Sequence, residues 1–239
     1  MIVPRRIPHY GSREAYSECL GFDIKDKSIY DLAFTHKSAI KEFQIDSSNE
    51  RLEFLGDAVL NVVITKYLYE KYPDSNEGFL TRIRTKLVSG VQLAKFSEHL
   101  GLEKFLLMNH RALRANWQTN TRMREDVFES VVGAIYLDQG LPRCRKFVIN
   151  LIDEKIDWSL IYEDRNWKDQ LMRTCQFKSW LLPEYKLCGS DPFIVEIIVN
   201  GNICGRGKDT NKKVAEQKGA EEALKFLKVE IPATNAAFL

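Results

Sequence analysis

The sequence has no apolar run long enough to cross a bilayer. The longest, Val131 to Leu137, spans seven residues, whereas a spanning helix needs roughly 18–20. No membrane partner is therefore expected. The first residues, MIVPRRIPHYGSREAY, lack the apolar core of a secretory leader. No Cys-x-x-Cys is present, and the five cysteines (Cys19, Cys144, Cys175, Cys188 and Cys204) are odd in number and scattered. That argues against a disulfide framework or a cysteine-based zinc site and for a reducing, cytoplasmic setting. Ser/His/Asp and Cys/His arrangements are also missing, so no covalent enzyme intermediate is expected. Neither sign of charge dominates, with Lys+Arg 35 against Asp+Glu 33. Hydrophobic residues make up 44% and charged residues 28%, an ordinary globular balance that excludes disorder along the whole chain. A length of 239 residues implies one or two domains.

The charges that are present divide unevenly. Residues 1–164 carry 23 Lys/Arg and 24 Asp/Glu, whereas residues 165–228 carry 12 and 8. A near-neutral body joined to a small basic segment suggests catalysis coupled to anion binding. The periodicity changes at the same place. Leu52, Leu55, Val59, Val62, Val63 and Leu68 recur at helical spacing and predict a long, mostly buried helix ended by Pro73. Helical patterns follow over Phe79–Leu100, Asp126–Gln139 and Phe147–Ile156, with Gly140-Leu141-Pro142 stopping or bending the chain. A further helix is expected over Trp167–Trp180. Phe193, Val195, Ile197 and Val199 then alternate with their neighbours, a strand leading into an Asn200-Gly201 hairpin turn. The last helix is expected over Asn211–Leu227.

Two pairs of acids stand out because their surroundings are apolar. Glu53 and Asp57 are four residues apart, Asp126 and Glu129 three apart, so each pair shares a helix face. Like charges so placed repel one another and are costly to bury unpaired. If the two helices met, four carboxylates would offer the oxygen-rich, hard-donor set that Mg²⁺ takes, with positions left for water. The alternative is a set of solvated or salt-bridged acids, with Arg51 and Arg124 as nearby partners. Spacing alone leaves both open.

The stretch Glu50-Arg51-Leu52-Glu53-Phe54-Leu55-Gly56-Asp57-Ala58-Val59 resembles the signature of the ribonuclease III family, and Asp126-Val127-Phe128-Glu129 its second acidic motif. Thr35-His36-Lys37-Ser38 is similar to its THxS element. Glu77-Gly78 with Leu80, Arg84, Leu87 and Val88 resembles another of its segments. Toward the C-terminus, Pro183-x-Tyr185, the strand at Phe193–Val199, Lys212-Lys213-x-Ala215-Glu216-Gln217 and Ala223-Leu224 resemble a double-stranded-RNA-binding domain. The resemblance covers roughly residues 18–228. It implies an all-α ribonuclease III endonuclease domain over 1–160, a linker at 161–166, a small α+β domain of order α-β-β-β-α over 167–229, and a flexible tail at 230–239.

The same resemblance assigns roles. Glu53, Asp57, Asp126 and Glu129 match the metal-binding carboxylates, with Asp57 and Glu129 the hardest to replace. Glu50 and Glu77 are supporting residues near the site. Phe54 matches a side chain that enters a pocket of a second subunit; core packing is the other reading for it. His36 is a structural hydrogen-bonding residue rather than a general base. The implied cofactor is Mg²⁺, with Mn²⁺ a substitute, and no small-molecule cofactor. The implied enzyme is a homodimer that cuts each strand of an RNA duplex through activated water. It leaves 5′-phosphate and 3′-hydroxyl ends with short 3′ overhangs. Lys212 and Lys213, with Lys208 beside them, are expected to contact phosphate, and Gln176 the minor groove, in the shape-reading manner of such domains.

This chain also departs from the pattern. The loop between the first two strands, Cys188 to Pro192, is short and lacks His; Met172 replaces a second polar groove contact; and Gly207-Lys208-Asp209-Thr210-Asn211 loses a Gly and a Ser. The competing function is a non-catalytic binder that sequesters duplexes. Retention of all four acids favours the enzyme.

Overall fold

A computed structural model describes residues 10–163 and 165–228. It divides into two compact units, one ending at Asp157 and one starting at Trp158.

The described part of the first unit is helical. Three short helices, α1 (Arg13–Leu20), α2 (Lys27–Ala33) and α3 (Ala39–Phe43), lead to the long α4 (Glu50–Lys71). Then come α5 (Glu77–Leu87), α6 (Gly90–Leu100), a 3₁₀ turn at Leu102–Phe105, α7 (His110–Arg114), a second 3₁₀ turn at Trp117–Thr119, and α8 (Thr121–Lys155). Several starts are set by side chains that accept from first-turn amides: Ser12 from Ala15, Asn76 from Phe79, Asn109 from Ala112 and Asn120 from Arg122.

Several sequence expectations need correction. The pattern over Phe79–Leu100 is two helices, because Ser89 takes extended backbone and caps α6. Helix α8 starts at Thr121 rather than Asp126; its first turn holds one apolar residue, Met123, so hydrophobic periodicity could not show it. The interruption expected at Gly140 is present: α8 is two helical arms joined at a kink there. Its φ of 79° and ψ of 178° break the helix for one residue, a backbone state open to glycine, and the Asp126 and Phe147 patterns are the two arms of that bend. On α4, Leu52, Val59, Val63 and Leu68 are buried as expected, but Leu55 is only half-buried and Val62 is exposed.

The core of this unit is large and aromatic. Tyr16, Tyr30, Phe34, Phe96 and Phe128 are fully buried with Leu60, Ile64, Leu68, Ile83 and Leu87. The buried Tyr hydroxyls find acceptors: Tyr16 donates to Asp31 at 3.0 Å, and Tyr30 to Asp138 at 3.1 Å, as burial of a phenol requires.

The second unit opens with α9 (Trp158–Tyr162), which runs into the stretch expected as a linker. Helix α10 (Trp167–Phe177) ends three residues before Trp180. A three-stranded antiparallel sheet follows, β1 (Glu184–Ser190), β2 (Phe193–Val199) and β3 (Asn202–Asp209), in the order β1-β2-β3, and α11 (Lys212–Phe226) closes the unit. Asn200 and Gly201 both take positive φ, 51° and 79°, as a two-residue hairpin turn demands. The expected loop from Cys188 to Pro192 is shorter still. A register shift between Leu187 and Gly189 lets β1 run on to Ser190, leaving only Asp191 and Pro192 between the strands. Leu171, Cys175, Val195, Ile197, Val199, Cys204, Ala215, Ala220, Ala223 and Leu224 form the core. The expected tail at 230–239 lies outside the described residues.

Candidate active site and nucleic-acid interface

The two acidic helices meet, and glycine makes the meeting close. A Cβ added at Gly56 of α4 would lie 1.8 Å from the Glu129 carbonyl oxygen; one added at Gly133 of α8 would lie 2.3 Å from that of Leu52. No side chain fits either gap, so the helices cross backbone to backbone. Glu53 and Asp57 flank Gly56, and Asp126 and Glu129 precede Gly133 along α8. The crossing thus gathers all four acids on two packed helices.

Their electrostatics register the gathering. The Glu129 carboxyl is pushed up to about 8, first by burial and then by the charges of Asp57, Glu125, Glu53 and Asp126. Burial also raises Glu53, with Asp126 and Glu50 adding to it, while Arg122 and Lys37 oppose. Asp126 is raised by burial against the same two cations. Asp57 is exposed and accepts from Asn61 Nδ2 at 2.8 Å. Among the described residues no three His, Cys, Asp or Glu side chains close into a metal-ligating group. The donor chemistry nonetheless suits a hard cation: every donor is a carboxylate oxygen, and a divalent ion would relieve the mutual repulsion that lifts Glu129.

The Thr35–Ser38 turn anchors the start of α4. Asn49, buried just ahead of that helix, donates its amide to the Thr35 carbonyl at 2.8 Å. Ser130 Oγ donates to the Asp126 carbonyl at 2.7 Å and lies 3.4 Å from that of Asn49, so α8 meets the same turn. His36 is buried, and its Nδ1 accepts from the Ser38 amide at 3.2 Å. A neutral ring therefore carries its proton on Nε2. Ser38 Oγ lies 2.8 Å from Nδ1 and accepts from the Asn109 amide at 3.1 Å. Burial, then Lys37, holds the His36 pKa below its usual value. A neutral imidazole locked into a turn is a structural part. Lys37 pairs with Glu50 at 2.9 Å, which fixes Glu50 at the edge of the acids. Glu77 is exposed on the first turn of α5 and accepts from Thr81 Oγ1 at 2.8 Å; no contact joins it to the four acids.

Phe54 is 82% exposed, so core packing is excluded for it within this chain. Val62 and Tyr69 are exposed on the same helix, and with Asn61, Thr65 and Lys66 they line a shallow apolar depression. Arg124, considered as a partner for the acids, pairs instead with Glu98 at 3.0 Å. The sequence reading missed Glu125 and Arg122. Glu125 directly precedes Asp126, and its carboxyl is raised by burial and then by Asp126. Arg122 stands four residues before Asp126, a spacing that could have revealed it.

In the second unit Lys208, Lys212 and Lys213 are exposed. Asn211 Oδ1 accepts from the amides of Lys213 at 2.9 Å and Val214 at 3.4 Å. That cap holds the two lysines on the first turn of α11, the electropositive end of the helix. Gln176 and Met172 are both exposed on α10, one turn apart.

Known proteins match both units. Residues 26–156 match a model described as ribonuclease-III-like, and residues 167–227 one described as a double-stranded RNA binding motif. Ribonuclease 3 of Listeria monocytogenes serotype 4b is 36% identical over 222 residues, 90% of this chain and 97% of that one. A protein of Paramecium bursaria Chlorella virus 1 is 34% identical over 218 residues, 89% of this chain and 78% of that one. Among solved structures, the nuclease domain of ribonuclease III from Campylobacter jejuni superposes with a TM-score of 0.57 at 34% identity, covering 61% of this chain and 99% of that domain. That structure is described for flexibility in a region involved in its dimer formation. With both units matched and a relative aligned over nearly its full length, the chain belongs to the ribonuclease III family of endoribonucleases and carries a double-stranded-RNA-binding domain.

Proposed function

We propose that the chain is a Mg²⁺-dependent endoribonuclease that hydrolyses double-stranded RNA as a homodimer. The observation that carries this reading is the crossing of α4 and α8 at Gly56 and Gly133, which gathers Glu53, Asp57, Asp126 and Glu129. These four would hold the metal, with Mn²⁺ able to replace it. When bound, Mg²⁺ supplies Lewis-acid activation of water and charge neutralisation at the phosphorus. The chain's own residues do the rest. Glu53 and Asp126 carry like charge on facing helices, and Asn61 holds the exposed Asp57 by donating to it. Lys37 keeps Glu50 turned to the edge of the cluster. Attack in line with the departing 3′ oxygen gives 5′-phosphate and 3′-hydroxyl ends, and two sites offset across a duplex give short 3′ overhangs.

The dimer reading rests on Phe54. A side chain so exposed on a helix whose outer face also shows Val62 and Tyr69 is costly in water and suited to a pocket in a second copy. Lys212, Lys213, Lys208 and Gln176 are the RNA contacts of the second unit, and Glu77 a more distant supporting acid. The odd, scattered set of cysteines supports a reducing, cytoplasmic setting.

The test is cleavage of a long end-labelled RNA duplex, with and without Mg²⁺, by the native chain and by Asp57→Asn and Glu129→Gln. A single strand of the same sequence is the control. Duplex-only cutting that disappears without metal and in both variants supports the reading. An intact duplex that the native chain still retains would leave a duplex-sequestering binder in its place.

A further inference from the structure

We infer that Arg122 and Lys37 form a cationic grip on the RNA backbone beside the four acids, with Arg122 the principal phosphate contact. The inference rests on the proposed reading of those acids.

Arg122 lies in the first turn of α8, four residues before Asp126 and seven before Glu129. It therefore shares their helix face. Lys37 reaches the same region from the opposite side through its 2.9 Å bond to Glu50, which shares a face of α4 with Glu53 and Asp57. The two approaches are joined: the rings of His36 and Trp117 meet edge to face at 6.5 Å, which sets the Lys37 turn against the segment leading into Arg122. The charges of both cations are felt at Glu53 and at Asp126, and Arg122 is felt at Lys37.

Arg122 is exposed, and among the described residues it has no ion-pair partner within 4.0 Å. Its charge reaches Glu53, Glu125 and Asp126, and among the described residues it forms no ion pair with them. An RNA backbone approaching those acids meets like charge. A fork of N–H donors at their rim offers the bidentate geometry that phosphate oxygens accept. Lys37, already paired with Glu50, contributes a point charge on the facing side.

The experiment uses the full chain, an RNA duplex of about 30 base pairs, longer than the roughly 16 a binding module covers, and the variants Arg122→Ala, Arg122→Lys and Lys37→Ala. Kd is measured in EDTA across a salt series, and kcat and KM in Mg²⁺. For Arg122→Ala the expected result is a KM and Kd raised about tenfold, the scale of one charge-assisted hydrogen bond. The slope of log K against log salt should also fall by about 0.9, one phosphate contact. Arg122→Lys should keep the slope and recover only part of the affinity. Lys37→Ala should act in the same direction and more weakly. Unchanged Kd and slope would overturn the grip. So would a change confined to the Mg²⁺ concentration needed for turnover, which would make the guanidinium a modulator of the carboxylates. A thermal melt of each variant separates these results from misfolding. Should Asp57→Asn and Glu129→Gln remain active, the four-acid reading falls, while the EDTA binding result still judges the grip on its own.

Discussion

Replacing Gly56 with Ala should damage activity far more than stability. The added Cβ would meet the Glu129 carbonyl oxygen at 1.8 Å, where ordinary contact begins near 3.4 Å. The helices must therefore separate or slide locally by about 1.6 Å. Two stability terms oppose each other. Alanine gains about 1 kcal/mol over glycine in a helix interior, and overpacking a core costs about 1–3 kcal/mol. The expected net loss is roughly 0–2 kcal/mol, a few degrees of Tm. Activity has no such compensation. The displaced backbone carries Glu129 itself, and a misplacement of about 1 Å in a catalytic constellation can cost about 100-fold. The assay pairs a thermal melt with kcat on duplex RNA, and Gly78→Ala on α5 is the control. A Cβ at Gly78 meets nothing nearer than Asn76 Oδ1 at 3.6 Å, so that variant should show the helix-propensity gain alone. If Gly56→Ala kept kcat within a factor of about 2 of the native value, the close crossing would not be what positions the acids.

Three further outcomes follow from particular contacts. Asp138 accepts from the amides of Lys25 and Asp26, from Tyr30 and from Gln139. Partial burial raises its carboxyl, but these donors together hold it below the usual carboxylate range. Its stabilisation is therefore present at neutral pH and lost as pH falls through the folded-state value, so the Tm gap between the native chain and Asp138→Asn should narrow on acidification. Phe54→Ala should leave the melting of the dissociated chain at high dilution almost unchanged, since the ring is exposed there, while raising the dimer dissociation constant about 30-fold or more, the scale of a buried hot spot; sedimentation across a dilution series reads it. Lys212→Ala with Lys213→Ala should weaken binding evenly across duplex sequences and lower the salt slope by about 1.8, measured by mobility shift over a salt series.

The second unit was the more legible half. Strand alternation from Phe193 to Val199 and the Asn-Gly turn are local signals, and the sheet adopts both. The start of α8 was hidden because Thr121 to Glu125 holds a single apolar residue, Met123, too few to show a period, and its cap, Asn120, sits in no apolar pattern. Val62 fits a helical stripe yet faces outward. Periodicity marks which residues share a face, not which stretch of that face finds a neighbour.

The sequence by itself determined the chemistry available: four carboxylates in two helical pairs, a cation-rich C-terminal module and no apolar run long enough for a membrane-spanning helix. Helical spacing is a local property, so each pair could be placed on one face without reference to the rest of the molecule. Whether those faces meet is not local. That was decided by Gly56 and Gly133, whose missing side chains let two backbones touch; there burial first, and then the charge of its neighbours, raises Glu129. Tertiary packing likewise sent Arg124 to Glu98, left Phe54 in solvent, and brought the charge of Arg122 to Glu53 on the facing helix. Each of these depends on residues far apart in the chain, and only folding decides which of them become neighbours.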